Sequence, residues 1–176
     1  LLAACPTLCK PWLILAMFAG IRPDGELMKL QWEDINLETS TVRINFPKVR
    51  KHRRIVPLEA IAVELLKKWP VKSGPVCPSR STLRRFKRSM RAMLGHEKWP
   101  ADLLRHTAAS FLIAKHKDVA KVAAMLGNSP GILMTNYHEP VSEADQLLFW
   151  DAGHTKYDSV RLEGERNGKQ ADEHGK

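Results

Sequence analysis

Tyr137 near the C-terminal end is preceded by Leu126-Gly127-Asn128-Ser129, by Arg105 and, far upstream, by Arg22. A phenol is a weak nucleophile at neutral pH, with an ordinary pKa of about 10, so it needs cations that steady both the phenolate and the group it attacks. Arginines drawn from distant segments onto one hydroxyl suit chemistry on a phosphodiester, because their planar forks pair with phosphate oxygens and neutralise charge as it grows. The plainer alternative is a half-buried tyrosine, with surface arginines paired to Asp24, Glu26 or Asp102.

Two basic clusters accompany this set. Lys48-Val49-Arg50-Lys51-His52-Arg53-Arg54 holds five Lys or Arg in seven positions. A charged turn can simply discourage edge-to-edge strand pairing, but this density exceeds that need and favours contact with DNA. Arg84, Lys87, Arg88 and Arg91 recur on one side of a helical pattern whose other side is Leu83, Phe86, Met90 and Met93. That face fits a solvated surface as well as a phosphate-tracking one.

The elements that must position these residues are mainly helical. Pro11 opens and Gly20 closes an apolar helix, and Arg22 falls in the junction before a short helix that Asp24 can cap and that runs through Glu26 and Leu30 to Trp32. Alternation in Thr41-Val42-Arg43-Ile44-Asn45-Phe46, followed by Ile55-Val56, predicts a hairpin with residues 48–54 at its tip. Helical spacing recurs over Leu58 to Trp69, Ser81 to Leu94 and Ala101 to Ala114. Asp118 caps a further helix that stops at Gly127, Ser129-Pro130 opens the segment bearing Tyr137, and Ser142 to Trp150 forms a last amphipathic helix. Together these predict an α+β domain, mainly helical with a small antiparallel sheet, over residues 1–152. Residues 153–176 are polar, of mixed charge, and expected to be disordered.

The 176 residues, 44% of them hydrophobic, suit one domain with a real core and contain no membrane-length apolar stretch. Leu1-Leu2-Ala3-Ala4-Cys5 lacks the charged leader and cleavage pattern of an export signal and reads as a helix end cut from a longer protein. Cys5, Cys9 and Cys77 cannot all pair and lack zinc spacing, which points to a reducing cytoplasm. Net charge is +9, and the segment from Asp151 onward is slightly acidic, so the excess belongs to the folded part. A basic domain of this kind expects nucleic acid or an acidic surface as partner.

Three ordered blocks resemble the catalytic domain of the tyrosine recombinases, the phage integrase family. They are Gly20-Ile21-Arg22-Pro23-Asp24-Gly25-Glu26-Leu27 through Trp32-Glu33-Asp34-Ile35, then Leu104-Arg105-His106-Thr107, then Leu126-Gly127-Asn128-Ser129, with Tyr137 nine residues after Asn128. The resemblance spans about Trp12 to Trp150 and implies that family's catalytic-domain fold. It implies a Tyr137 nucleophile forming a 3′-phosphotyrosyl link to double-stranded DNA, with Arg22 and Arg105 on the non-bridging oxygens and no cofactor, ATP or metal. Lys48 would protonate the leaving oxygen, with Lys51 as rival for that role. Glu26 would buttress Arg22, and His106 would support the helix interior. Arg50, Lys51, Arg53, Arg54 and the Arg84, Lys87, Arg88, Arg91 face would contact DNA, and a synaptic tetramer would form by passing the C-terminal segment, here Ser142 to Trp150, to a neighbour.

Two positions depart from the family pattern. Asp102 stands where a His is usual three residues before Arg105, and Asn128 stands where a His or Trp is usual. Asp102 is expected to cap a helix and pair with Arg105 or His106. Asn128 can still donate to a phosphate oxygen. A bacterial branch of the family is similar at both places. The rival readings are a DNA-binding module with a lapsed site, a type IB topoisomerase-like enzyme, and a basic scaffold that binds protein.

Overall fold

Pro11 lies in the first turn of α1 (Lys10–Phe18), where a missing N–H costs nothing, and every residue from Pro11 to Phe18 is buried. A helix apolar all round belongs in the middle of a domain, and α1 packs against two later helices, Ala60–Lys67 and Leu103–His116. The computed structural model describes residues 1–45, 54–70, 72–95, 97, 102–136 and 140–152; the expected tail, 153–176, lies outside them.

Three antiparallel strands follow in the order β1 (Ile35–Asn36), β2 (Thr41–Ile44), β3 (Arg54–Pro57). Val42 faces Val56, and Ile44 faces Arg54. Period-two alternation sends Val42, Ile44 and Val56 into the core and turns Ile55 out, 67% exposed. The same alternation puts Arg54 on the inner face. The two-residue β1 is too short to be legible as an alternating run.

The remaining α-helices among the described residues are α2 (Ala60–Lys67), α3 (Arg80–Met93), α4 (Leu103–His116), α5 (Val119–Leu126), α6 (Pro130–Asn136) and α7 (Glu143–Trp150). Ser79, Asp118 and Ser142 cap α3, α5 and α7, each side-chain oxygen accepting from the backbone N–H three residues on. On α3, Leu83, Phe86 and Met90 are buried, and Phe86 meets Trp12 edge-on at 6.3 Å. Met93, expected on that packed side, is 54% exposed because it falls at the helix's outer end. Phe149 of α7 stacks on Phe111 of α4 at 3.9 Å and tilts against Phe18 of α1 at 4.9 Å. Leu112, Val122, Leu126 and Leu133 form a second cluster between α4, α5 and α6, joined to the main core through Trp150. Among the described residues no helix is long and apolar enough to cross a membrane.

The short helix expected after Asp24 does not form. Residues 23–29 are a run of turns in which the N–H groups of Glu26 and Leu27 both donate to the Arg22 carbonyl. Pro23 and Gly25 both disfavour continued helix, and the Asp24 carboxylate, instead of capping, accepts from Lys87 Nζ at 2.6 Å. The turn is nonetheless well anchored, since Trp12 Nε1 donates to the Pro23 carbonyl from within the core.

Candidate active site

Gly127 ends α5 in the left-handed region at φ 67°, its N–H donating to Ala124 O and that of Asn128 to Ala123 O. This double closure satisfies two carbonyls and leaves the next three to be met from elsewhere. Arg54 Nε donates to Met125 O at 2.9 Å, Arg105 Nη2 to Leu126 O at 2.6 Å and Arg22 Nη2 to Gly127 O at 3.3 Å. Three arginines from three separate elements thus meet three successive carbonyls at the negative end of one helix, where cations are favoured.

Asn128 gathers two of them further. Its Oδ1 accepts from Arg22 Nη2 and from Arg105 Nη2, each at 3.1 Å. Both neighbours are donors, so the amide oxygen must face them, and Nδ2 is the end that can donate to an anion. Arg105 is 3% exposed and also donates from Nη1 to Gly20 O at 2.6 Å. Arg22 retains 33% of its side-chain exposure. The two guanidiniums are thereby brought to one atom, a concentration of positive charge that favours an oxyanion beside it.

Gly20 and Gly127 make this approach possible. A Cβ on Gly20 would lie 2.3 Å from Leu126 Cδ2, and one on Gly127 would lie 3.0 Å from Arg54 Nη1. Neither position accepts a side chain without displacing what it touches.

Beneath the arginines lies Glu26, 4% exposed. Its carboxylate accepts from Arg54 Nη1 and Nη2 at 2.6 and 2.8 Å, from Arg22 Nη1 at 2.9 Å and from the Arg22 backbone N–H at 3.0 Å. Burial, the largest single influence, pushes its pKa up. The Arg54 hydrogen bonds and charge, with those of Arg22, outweigh that and hold the carboxyl below the usual range. The expected buttress of Arg22 is therefore present, but Glu26 is shared with a second arginine.

That second arginine corrects the sequence reading. Arg54 was expected among the DNA contacts of the basic turn, yet its side chain is only 10% exposed and its donors are spent on Glu26 and Met125. The signal was available in the alternation with Val56, which the charge density of the turn obscured. Asp102 does occupy the N-cap position of α4, but with φ 53° and no side-chain cap hydrogen bond, and it is exposed. It meets His106 through its backbone carbonyl, which accepts from the His106 N–H at 2.8 Å, and not through a capping carboxylate. His106 is exposed rather than interior, because Leu104, Arg105, Ala108, Ala109 and Leu112 take the buried stripe of α4. Lys87, expected on the DNA-facing side of α3, is bonded to Asp24 and lies 5.5 Å from the Trp12 ring centroid. Arg84 and Arg88 are exposed and Arg91 half-buried. Tyr137, Lys48, Arg50, Lys51 and Arg53 lie outside the described residues.

Among the described residues no group of three His, Cys, Asp or Glu side chains is placed to hold a metal. The three cysteines are buried and unpaired with one another, and burial above all pushes the Cys5 thiol up to about 12 and that of Cys77 to about 11. Such thiols are poor nucleophiles.

The family model described as the phage integrase family matches residues 4–140. Among solved structures, the XerA recombinase is similar at 21% identity with a TM-score of 0.63, over 87% of this chain and 59% of that one. The XerH site-specific recombinase bound to its difH substrate, a pre-cleavage complex, is similar at 26% identity and TM-score 0.58, over 76% and 43%. The Tn1549 transposon integrase in complex with transposon right end DNA is similar at 14% identity and TM-score 0.56, over 94% and 61%. The match thus spans less than two thirds of each of these chains. No curated protein matches the sequence.

Proposed function

The chain belongs to the phage integrase family, and from that premise we propose that it is the catalytic part of a site-specific DNA recombinase or integrase. The observation that carries the reading is the convergence of Arg22 and Arg105 on Asn128 Oδ1. Two forks so fixed suit the non-bridging oxygens of a phosphodiester. Tyr137, giving its phenolic proton to water, forms through Oη the new bond to phosphorus as the bond to the 5′-oxygen breaks, and that oxygen takes a proton from Lys48 or Lys51. Reversal rejoins a strand without any outside energy source, because the phosphotyrosyl link keeps the bond. Asn128, through Nδ2, donates to the phosphate in place of the usual ring.

The partner is double-stranded DNA, met by the basic turn and by Arg84, Arg88 and Arg91. Self-association into a synaptic tetramer uses α7, whose Leu147 and Leu148 are 73% and 67% exposed. The setting is the bacterial cytoplasm, at the nucleoid, for a protein of bacterial or phage origin.

Nicked duplexes carrying randomised sequence test this reading, because loss of the short leaving strand traps a covalent adduct. Denaturation-resistant protein–DNA adduct is expected with the parent chain and none with Tyr137→Phe. Binding without adduct in the parent would favour the second reading, a DNA-binding module with a lapsed site, which the Asp102 and Asn128 exchanges motivate. Exchange of strands between two marked duplexes separates a recombinase from a topoisomerase-like enzyme. Since the Asp102 carboxylate does not cap its helix, its removal in Asp102→His or Asp102→Asn is expected to leave adduct yield level or raise it. A large fall would place the carboxylate in the chemistry.

A further inference from the structure

The turn bearing Arg22 forms no helix, and the Trp12 anchor at Pro23 holds its backbone without fixing where the guanidinium points. Something else must. Glu26 bonds both the side chain and the backbone N–H of Arg22, and Glu26 is in turn gripped through both oxygens by Arg54. Arg54 reaches across from β3 to do this, and its third donor, Nε, is fixed on Met125 O, one residue before the carbonyl that Arg105 uses.

We propose that Arg54 is a positioning residue for the reaction: it locks Glu26 against the end of α5 and so sets Arg22 in register with Arg105 and Asn128. This rests on the recombinase reading above, but the geometry assigns Arg54 a task that neither its charge nor its place beside the basic turn suggests. Only an arginine performs it. The fork satisfies both carboxylate oxygens while Nε, on the same rigid plane, meets the helix end; a lysine offers a single ammonium on a flexible stem and can keep the charge but not the three directions. The close packing of the Arg54 guanidinium on Gly127, where a Cβ would stand 3.0 Å from Nη1, removes the slack that would let it swing. A buried carboxylate shared by two guanidiniums also resists being pulled away when DNA phosphate arrives, because leaving Arg54 would strand a charge in the interior.

The test uses the full chain with Arg54→Lys, which keeps a cation beside Glu26. The double variant Glu26→Gln, Arg54→Gln, which leaves no buried charge, serves if the first does not fold. Single-turnover adduct formation is measured on nicked DNA with an ordinary scissile phosphate and with a methylphosphonate there, whose neutral centre needs less of Arg22. Misplacement of a reacting group by about 1 Å costs about 100-fold. A loss of that order on the phosphate, shrinking about tenfold or more on the methylphosphonate, is expected. A general structural defect would lower both alike, and equal losses or no loss would overturn the proposal. Side-chain NMR of the Arg22 Nε–H group in DNA-free protein supplies a readout independent of cleavage: it is expected to shift and exchange faster in both variants. An unchanged Arg22 signal would overturn the role of Arg54. If the parent forms no adduct, the recombinase reading fails on its own, and the NMR result still decides whether Arg54 holds Arg22.

Discussion

Asn128 is the residue whose chemistry is most sharply constrained, because two cations crowd one of its atoms. Replacing it by Asp puts a carboxylate where the amide oxygen now sits, 3.1 Å from both Arg22 and Arg105. The ion pairs so formed would occupy the forks and repel phosphate. Asn128→Asp is expected to hold or raise the melting temperature while lowering adduct formation by about 100-fold or more, the scale of losing an oxyanion donor. A fall in melting temperature together with undiminished cleavage would contradict that arrangement. Glu26 gives a prediction in pH. Its folded pKa lies below the unfolded value of 4.5, so its contribution to stability is complete above about that pH and is lost as pH falls through the depressed folded value. Urea denaturation between neutral pH and pH 3 should show a drop that is smaller in Glu26→Gln. At Gly127, alanine meets both a left-handed backbone and Arg54, and the conformational strain alone is about 1–2 kcal/mol, readable as a lowered denaturation midpoint.

Much of this was legible at the level of single residues. Arg22, Arg105 and Asn128 stand out by spacing, and the structure brings them together. Arg54 and Asp102 were misread because a side chain's job follows from where the backbone aims it: the alternation with Val56 aimed Arg54 inward but was outweighed by the charge of the turn, and the left-handed φ of Asp102 is not carried by residue type.

Among the elements, α7 is held by one side chain more than by its length. Phe149 is 9% exposed and touches aromatic rings from α1 and α4, whereas its neighbours Leu147 and Leu148 face outward. Phe149→Ala is expected to cost about 3 kcal/mol in denaturation, and Leu148→Ser to change stability by no more than about 0.5 kcal/mol. Lys115 of α4 reinforces the same junction: its Nζ lies 4.3 Å from the Trp150 ring centroid and also pairs with Glu59, at the start of α2. Helices with a cap and an apolar stripe were readable from sequence, and α5, with Asp118 before it and Gly127 after it, fell where those signals put it. The segment after Asp24 was not, because an acidic residue before Glu26 and Leu27 imitates a capped helix while Pro23, Gly25 and the pull of Lys87 decide otherwise.

For the whole molecule, the sign and placement of charge matter more than shape. The chain carries a net charge of +9, and Arg84 and Arg88 stand exposed on α3. DNA affinity should therefore fall steeply and linearly in log–log form with added salt, with each phosphate-contacting arginine removed from that face lowering the slope by about one. The double variant Glu26→Gln, Arg54→Gln should leave the slope unchanged, since both side chains are turned inward. A salt-independent affinity would instead favour a protein partner.

The end of α5 carries one more implication, for which changes of chain length this fold can absorb. Met125, Leu126 and Gly127 each receive a different arginine. Each residue of a helix turns about 100° from the last, so a single insertion or deletion within α5 would swing all three carbonyls off their partners together. Point substitutions can be compensated one at a time, but a frame slip there cannot. A scan of one-residue insertions along α5 should therefore find it intolerant throughout, read as a lowered denaturation midpoint.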